Sequence, residues 1–435
     1  MESPALTRTH FHGDPQMHAA TAQPPLRIDA GPLPFAARTW NLDPSLTFLN
    51  HGSYGAVLQP VLDQQAAMRA RMERDPVRFF KADLESLTDL SRVAVASFAH
   101  CRHTDLCMVP NATIALATIM YNVDFRPGDE VLVCDHDYSS ILYELDRVCT
   151  RTGAKMVKAA IPFPISGPAE VAERFLGCVT SRTRLAFIPH ITSATSLVFP
   201  VAEIVAELNR RGIDVVVDAA HTPGQLQIDI QALKPTYWVG SGHKWLSAPK
   251  GTGFMYVRSD KQAGFRTLAL SSRAGKIRPD RSLYMRDFDY MGTADYTPIL
   301  AIPQTIQSMG ELLPGGWPAL MRHNHELILK GRDIVCRALS ISPPAPATMV
   351  GSMVTLPLPE PAPEFANRPT RYDDALQDQL LERHQVVAPI WRWGPDNLRV
   401  IRVSAQLYNS LSDFERLAGA LVEELRREKA IKATA

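Results

Sequence analysis

Val215-Val216-Val217-Asp218-Ala219-Ala220-His221, followed by Ser241-Gly242-His243-Lys244, is the stretch whose reading decides the fold. An unbroken β-branched run ending in a carboxylate reads as a strand buried on both faces, the form strands take in helix-covered parallel sheets. Short strands follow at 237–239 and 253–257. Toward the N-terminus, apolar runs recur at 106–109, 131–134, 156–161 and 185–188, with helix-like segments between them at 113–121 and 200–211. Pro110-Asn111 and Gly128-Asp129 mark the turns. Strands alternating with helices imply crossover units, hence an α/β fold with a mostly parallel sheet.

Before this region, Pro60 suits a first helical position, with Val61, Met68 and Met72 at helical offsets. Leu87, Leu90, Ala94 and Phe98 form a second stripe, which predicts a core face. Beyond Pro303 the texture changes. Residues 306–339 read as long helices broken at Pro314-Gly315-Gly316, residues 350–358 and 398–404 as strands, and 411–428 as a helix. The proline-rich stretch 357–369 reads as a surface loop. The expected organisation is an extended arm over 1–38, a large domain over 39–304 and a smaller α+β domain over 305–435. Residues 39–60 are expected to pack with the smaller domain.

Composition narrows the function. The 435 residues are 46% hydrophobic and 21% charged, enough to bury a sizeable core. A net charge of +1 leaves no electrostatic footprint for nucleic acid or an anionic membrane, so any bound anion is caught by local groups. No apolar run is long enough for a membrane span. Six cysteines without CxxC spacing argue against a disulfide framework or a metal site and fit a cytoplasmic protein.

The chemistry is concentrated at Asp218 and Lys244. A carboxylate at the carboxyl end of a buried strand lies where open α/β sheets bind ligands. A buried lysine, its pKa lowered, can form a Schiff base with an aldehyde cofactor. Pyridoxal 5′-phosphate needs that amine, and it needs an acidic partner for its pyridine nitrogen. Either residue alone is more readily a cap or a solvated side chain. The pair, in this order and spacing, is much harder to explain that way.

Ser241-Gly242-His243-Lys244 with Pro249-Lys250-Gly251-Thr252-Gly253 resembles the cofactor-lysine signature of the class V aminotransferase family of fold-type I pyridoxal-phosphate enzymes. Asp218-Ala219-Ala220-His221 resembles that family's pyridine-binding motif. Phe48-Leu49-Asn50-His51-Gly52-Ser53-Tyr54-Gly55, Asp135-His136-Asp137-Tyr138 and the stretch 401–409 narrow the resemblance to the isopenicillin N epimerase-like branch. It covers residues 40–428 and is more specific for fold and cofactor than for substrate.

The resemblance implies roles residue by residue. Asn111, Ala112 and Thr113 open a helix whose N–H groups would hold the cofactor phosphate, and Ser241 and His243 would add contacts. Tyr138 would stack on the pyridine ring; a core tyrosine is the alternative. His221 and Ser193 would lie near the phenolic oxygen. Gly292 and Thr293 would reach the phosphate of a neighbouring subunit, making a homodimer with shared sites. Arg402, in an apolar strand run, would pair with a substrate carboxylate. A structural partner such as Asp413 or Glu415 is the other explanation. Asn50, His51 and Tyr54 would face an amino-acid-like substrate.

The expected reaction is proton abstraction at Cα by Lys244. Returning the proton to the opposite face gives epimerisation and needs a second acid or base, for which Tyr138, His51 and Tyr54 are candidates. Expelling a β-substituent gives a carbon–sulfur lyase, as in the related hercynylcysteine sulfoxide lyases. A desulfurase needs a loop cysteine late in the chain, and only Cys336 lies there, in a helical stretch. An aminotransferase and a non-catalytic cofactor-binding protein complete the alternatives; the intact Lys244 weighs against the second.

Overall fold

The computed structural model describes residues 40–276 and 278–429; the expected arm over 1–38 lies outside them. The first eight strands are β1 (Thr47–Phe48), β2 (Leu106–Val109), β3 (Glu130–Cys134), β4 (Lys155–Ala159), β5 (Thr183–Pro189), β6 (Asp214–Ala219), β7 (Tyr237–Ser241) and β8 (Gly253–Val257). Four follow: β9 (Met353–Pro357), β10 (Val386–Val387), β11 (Ile390–Trp393) and β12 (Leu398–Ser404).

Seven strands form the main sheet in the order β2-β8-β7-β6-β5-β3-β4. Every neighbouring pair is parallel except those made by β8, which runs against β2 and β7. Val215, Val216 and Val217 are fully buried, which explains the unbroken apolar run. Each contributes roughly 1.5–3 kcal/mol by leaving water. Helices lie on both faces. Those at Leu84–Ala99 and Val201–Arg210 pack with one buried cluster, and those at Ala112–Asn122 and Ser139–Thr152 with another.

One expectation is refined here. The helix Leu84–Ala99 buries Leu84, Thr88, Ser91, Arg92, Val95, Ala96 and Ala99 most deeply. Of the expected stripe, Leu87 and Phe98 are half-buried against the same core, Ala94 is half-buried and Leu90 is not buried. Leu90 and Val93 are half exposed. The buried face is offset because it carries polar residues with partners of their own. Arg92 pairs with Asp89 and the buried Asp289, and Ser91 donates to the Ile299 carbonyl. An apolar count alone therefore finds the edge of the buried face and misses its polar centre.

The second sheet, β11-β12-β9, is antiparallel. Its Ile401, Val403 and Leu356 face a cluster with Phe414 and Leu417, on the side of the helices Gly316–Leu339 and Leu411–Arg427. The segment from β1 to Gly55 ties the two sheets together. β1 pairs with β10, Ser404 N donates to the Leu49 carbonyl (2.9 Å), and Gly55 N donates to the His243 carbonyl (2.9 Å). Among the described residues, no helix is long and apolar enough to cross a membrane.

Candidate active site

The carboxyl ends of β2, β3, β5, β6 and β7 open on one edge of the main sheet, where the small sheet closes over them. The cleft between them has a volume of about 1150 Å³. It is lined by Asn111, Ala112, Thr113, Tyr138, Ser193, Asp218, His221, Ser241, His243, Lys244, Tyr54 and Arg402 from the expected set.

Lys244 stands in the turn after β7. Its backbone is fixed from below by Gly55, where a Cβ would come within 2.1 Å of the Lys244 carbonyl oxygen. Glycine is required there because backbone meets backbone. Burial pulls the Lys244 amine down to about 8, against the pull of Asp218 and with help from Arg402. Its Nζ lies 3.1 Å from His221 Nε2, and Trp245 Nε1 donates to His221 Nδ1 at 3.3 Å. Burial holds His221 well below its ordinary value, so the ring is neutral. With Nδ1 accepting, its one proton sits on Nε2, where it can be given to the Lys244 amine once that amine has lost its own extra proton. That is the nucleophilic form.

Asp218 is the penultimate residue of β6, with Oδ1 accepting from Ala220 N at 2.9 Å. Burial raises its carboxyl, opposed by the Ala220 N–H and by Lys244. A neighbouring cation, such as a protonated pyridine nitrogen, offsets that cost.

Asn111 caps the helix Ala112–Asn122, its Oδ1 accepting from Ile114 N at 2.9 Å. The remaining N–H groups of this first turn make an anion site. Ser241 Oγ lines the same cleft, buried and without a hydrogen-bond partner among the described residues. An orphaned hydroxyl near a helix N-terminus fits a phosphate. Beside Lys244 and Asp218, it makes the residue set suited to pyridoxal 5′-phosphate.

Arg402 is 5% exposed at the cleft wall. It donates to the Ser193 carbonyl (2.8 Å), Ser193 Oγ (3.3 Å) and Ser53 Oγ (2.6 Å). No carboxylate pairs with it among the described residues. Burial holds the guanidinium down to about 10, with Tyr138 acting in the opposite direction. Asp413 instead caps the helix Leu411–Arg427, accepting from Ser410 N at 2.9 Å, and Glu415 is exposed. The structural-partner explanation is therefore set aside: Arg402 is a buried cation with neutral partners, open to an anion.

Several expected residues lie elsewhere. His51 is fully buried beneath the cleft and does not line it. Its Nδ1 meets Tyr408 Oη at 2.8 Å, and Ser247 Oγ and Gln406 Nε2 lie 3.4 Å from Nε2. Burial first, then Lys250, drives it down to about 3, so its ring is neutral. Asn50 also falls outside the cleft lining. The motif turns sharply, so Ser53 and Tyr54 face the cleft while His51 faces the core. Gly292 and Thr293 lie outside the cleft of their own chain, with Thr293 Oγ1 2.7 Å from Tyr290 Oη.

Sequence reasoning missed Ser53, Asp137, Trp391 and Trp393. Asp137 is buried in the lining, and its Oδ2 accepts from Cys134 N at 2.7 Å. Burial lifts its carboxyl to about 8, Cys134 N–H opposes this, and Asp218 adds to it. A lone aspartate in a turn carries no sequence signal for such a state. No cysteine lines the cleft among the described residues, and Cys336 is buried in the helix Gly316–Leu339 with its thiol raised by burial.

With fold and cleft in place, the class is clear. Residues 55–302 match the model of the aminotransferase class-V family, and the chain belongs to that family. Pyridoxal 5′-phosphate is its cofactor. Among individual relatives, the chain is 32% identical over 400 residues to the isopenicillin N epimerase of Amycolatopsis lactamdurans, covering 88% of this chain and 96% of that protein. It is 27% identical to a probable chloroplastic L-cysteine desulfhydrase of Arabidopsis thaliana, covering 87% and 83%. The fold is shared with the cystine C-S lyase C-DES, solved with its reaction product cysteine persulfide (TM-score 0.71, 19% identity, 87% of this chain and 97% of that one).

Proposed function

We propose that the enzyme acts at the α-carbon of an amino acid or amino-acid derivative, in the manner of an epimerase. The observation that carries this reading is the pairing, in one cleft, of a buried Lys244 amine, lowered to about 8, with an Arg402 cation that has no carboxylate partner among the described residues. Arg402 receives the substrate carboxylate, which holds the α-carbon over Lys244. The cofactor supplies an electron sink, kept effective by the carboxylate of Asp218. Lys244 takes the α-proton. Asn111, Ala112, Thr113, Ser241 and His243 hold the phosphate, and His221 and Ser193 flank the phenolic oxygen. Tyr138 and Tyr54, both lining the cleft, are the groups left to return a proton from the other face, since His51 is withdrawn from it.

β-Elimination is the second reading, supported by the relatives named cysteine desulfhydrases. One experiment separates the two. Holoenzyme is incubated with amino acids and S-substituted cysteines in deuterated water. α-Deuteration with inversion supports epimerisation; pyruvate with a released sulfur species supports elimination. A colourless protein that fails to take up pyridoxal phosphate would sink both.

We further propose a homodimer in which Gly292 and Thr293 reach the partner's phosphate. Half-exposed Leu90 and Val93, one helical turn apart, support a covered surface. Thr293→Ala should then weaken cofactor retention, and a fully active monomer would contradict the shared site. The six unpaired thiols support a cytoplasmic location.

A further inference from the structure

Alternate residues of a strand share one face. In the small sheet, Ile401 and Val403 face the helices, so Arg402 faces the cleft. β11 pairs with β12 so that Trp391 stands opposite Val400 and Trp393 opposite Leu398. Trp391 and Trp393 therefore project from the same face as Arg402, and both line the cleft. The Arg402 guanidinium lies 5.3 Å from the Trp391 ring. Arg402 N donates to the Pro389 carbonyl (3.1 Å), so Trp393 stands four residues further along the strand, roughly 13 Å from the anchor's level.

This aromatic stripe is held rigidly. The Trp393 ring packs on His136 (centroids 4.5 Å apart) and on Phe163 (5.8 Å). His136 is itself fixed by Thr195 Oγ1 at 2.6 Å and the Ile161 carbonyl at 2.9 Å. At the rim stands Asp373, exposed and without an ion-pair partner among the described residues. The adjacent Arg392 has its charge met by Glu360 at 2.5 Å, so the net charge at this end of the cleft is negative. The carboxylate anchor and the negative rim therefore lie at opposite ends of an indole-lined wall. A substrate the size of alanine would use only the first end.

We propose that Trp391, Trp393 and Asp373 form a distal side-chain subsite for amino acids whose long side chain ends in a planar or apolar group bearing a positive charge. Trp391, already against the Arg402 guanidinium, lines the passage from the anchor, the Trp393 indole receives the flat or methylated cation, and Asp373 complements its charge. The inference rests on Arg402 as the carboxylate anchor.

The test uses holoenzyme and four probes: L-alanine, L-phenylalanine, 4-(trimethylammonio)-L-phenylalanine and 4-carboxy-L-phenylalanine. Each is titrated while the cofactor's visible absorption is followed, which gives a Kd without requiring turnover. The cationic probe is expected to bind at least tenfold more tightly than phenylalanine, and the carboxylate probe more weakly than phenylalanine. Asp373→Asn, at an exposed position, should reduce the preference for the cationic over the carboxylate probe at least fivefold. Trp393→Leu should reduce the preference for the cationic probe over alanine. Equal affinities for alanine and the cationic probe, within threefold, would overturn the subsite while leaving the α-carbon reading intact. So would a charge preference untouched by Asp373→Asn. No absorption change with any amino acid would overturn the reading of the site, and the subsite with it.

Discussion

Replacing Arg402 with methionine should move activity and stability in opposite directions. The guanidinium is 5% exposed, has three neutral acceptor contacts and is held down to about 10 by burial. At ~1.4 kcal/mol for each tenfold change in proton affinity, that depression corresponds to about 3 kcal/mol of electrostatic cost in the folded chain. The sign is clear. A cation whose folded value is depressed carries its penalty at every pH below that value, so at pH 7 the whole cost is present and methionine removes it. Losing the bonds to Ser53 and Ser193 takes back part of the gain. The apo chain should therefore unfold at the same or a higher denaturant midpoint. Substrate binding should suffer. A charge-assisted contact to a carboxylate is worth roughly 2–5 kcal/mol, so kcat/KM should fall about 30- to 5000-fold on the amino acid found to turn over. Denaturant unfolding of the apo chain and steady-state kinetics of the loaded enzyme measure the two effects. A variant destabilised by several kcal/mol with kcat/KM intact would show that Arg402 is a structural residue and refute the anchor.

Three further outcomes follow from the same geometry. Capture of pyridoxal phosphate by the apo chain needs the free Lys244 amine, so its rate constant should rise with pH toward about 8 and level off above it. Asp218→Asn removes the charge that favours the protonated amine, and stopped-flow absorbance should place its midpoint at lower pH. Ser241→Ala should speed cofactor loss roughly 10- to 100-fold, the worth of one hydrogen bond to a charged group. The apo chain's thermal midpoint should not move, because Ser241 Oγ has no hydrogen-bond partner among the described residues. Gly55→Ala should cost at least 1–3 kcal/mol of stability and most of the cofactor-binding capacity, because its Cβ would meet the Lys244 carbonyl oxygen at 2.1 Å. Calorimetry with an absorbance titration checks both.

The strands of the main sheet were legible because parallel strands buried on both faces read as plain apolar runs. Asp218 and Lys244 were legible because charge at the end of such a run is hard to explain otherwise. Arg402 stood out for the same reason. His51 did not, since the motif around it seats Ser53 in the cleft and His51 in the core, and only the turn between them decides which. Asp137 depends on one backbone contact, with Cys134 N, that no pattern announces. Trp391 and Trp393 alternate across Arg392, but the strand they form is four residues long and carries no distinctive signal alone. The centre of the buried face of the helix Leu84–Ala99 was missed because Thr88, Ser91 and Arg92 sit there among Leu84, Val95 and Ala96.

The segment from Thr47 to Gly55 has a consequence for biogenesis. Its partners are Val386, Val387 and Ser404 on one side and His243 on the other. The first of these contacts closes over more than 300 residues of chain, a separation that slows productive pairing. During synthesis the Gly55 end of this segment can meet His243 midway, whereas its β1 end waits unpaired until Val386 and Val387 are made. The β1 end of the platform beneath Lys244 is thus among the earliest parts of the described chain to be translated and among the last to be built. A chain stalled before residue 386 holds every residue assigned to the cofactor but lacks the β10 and Ser404 partners that anchor the far end of this segment.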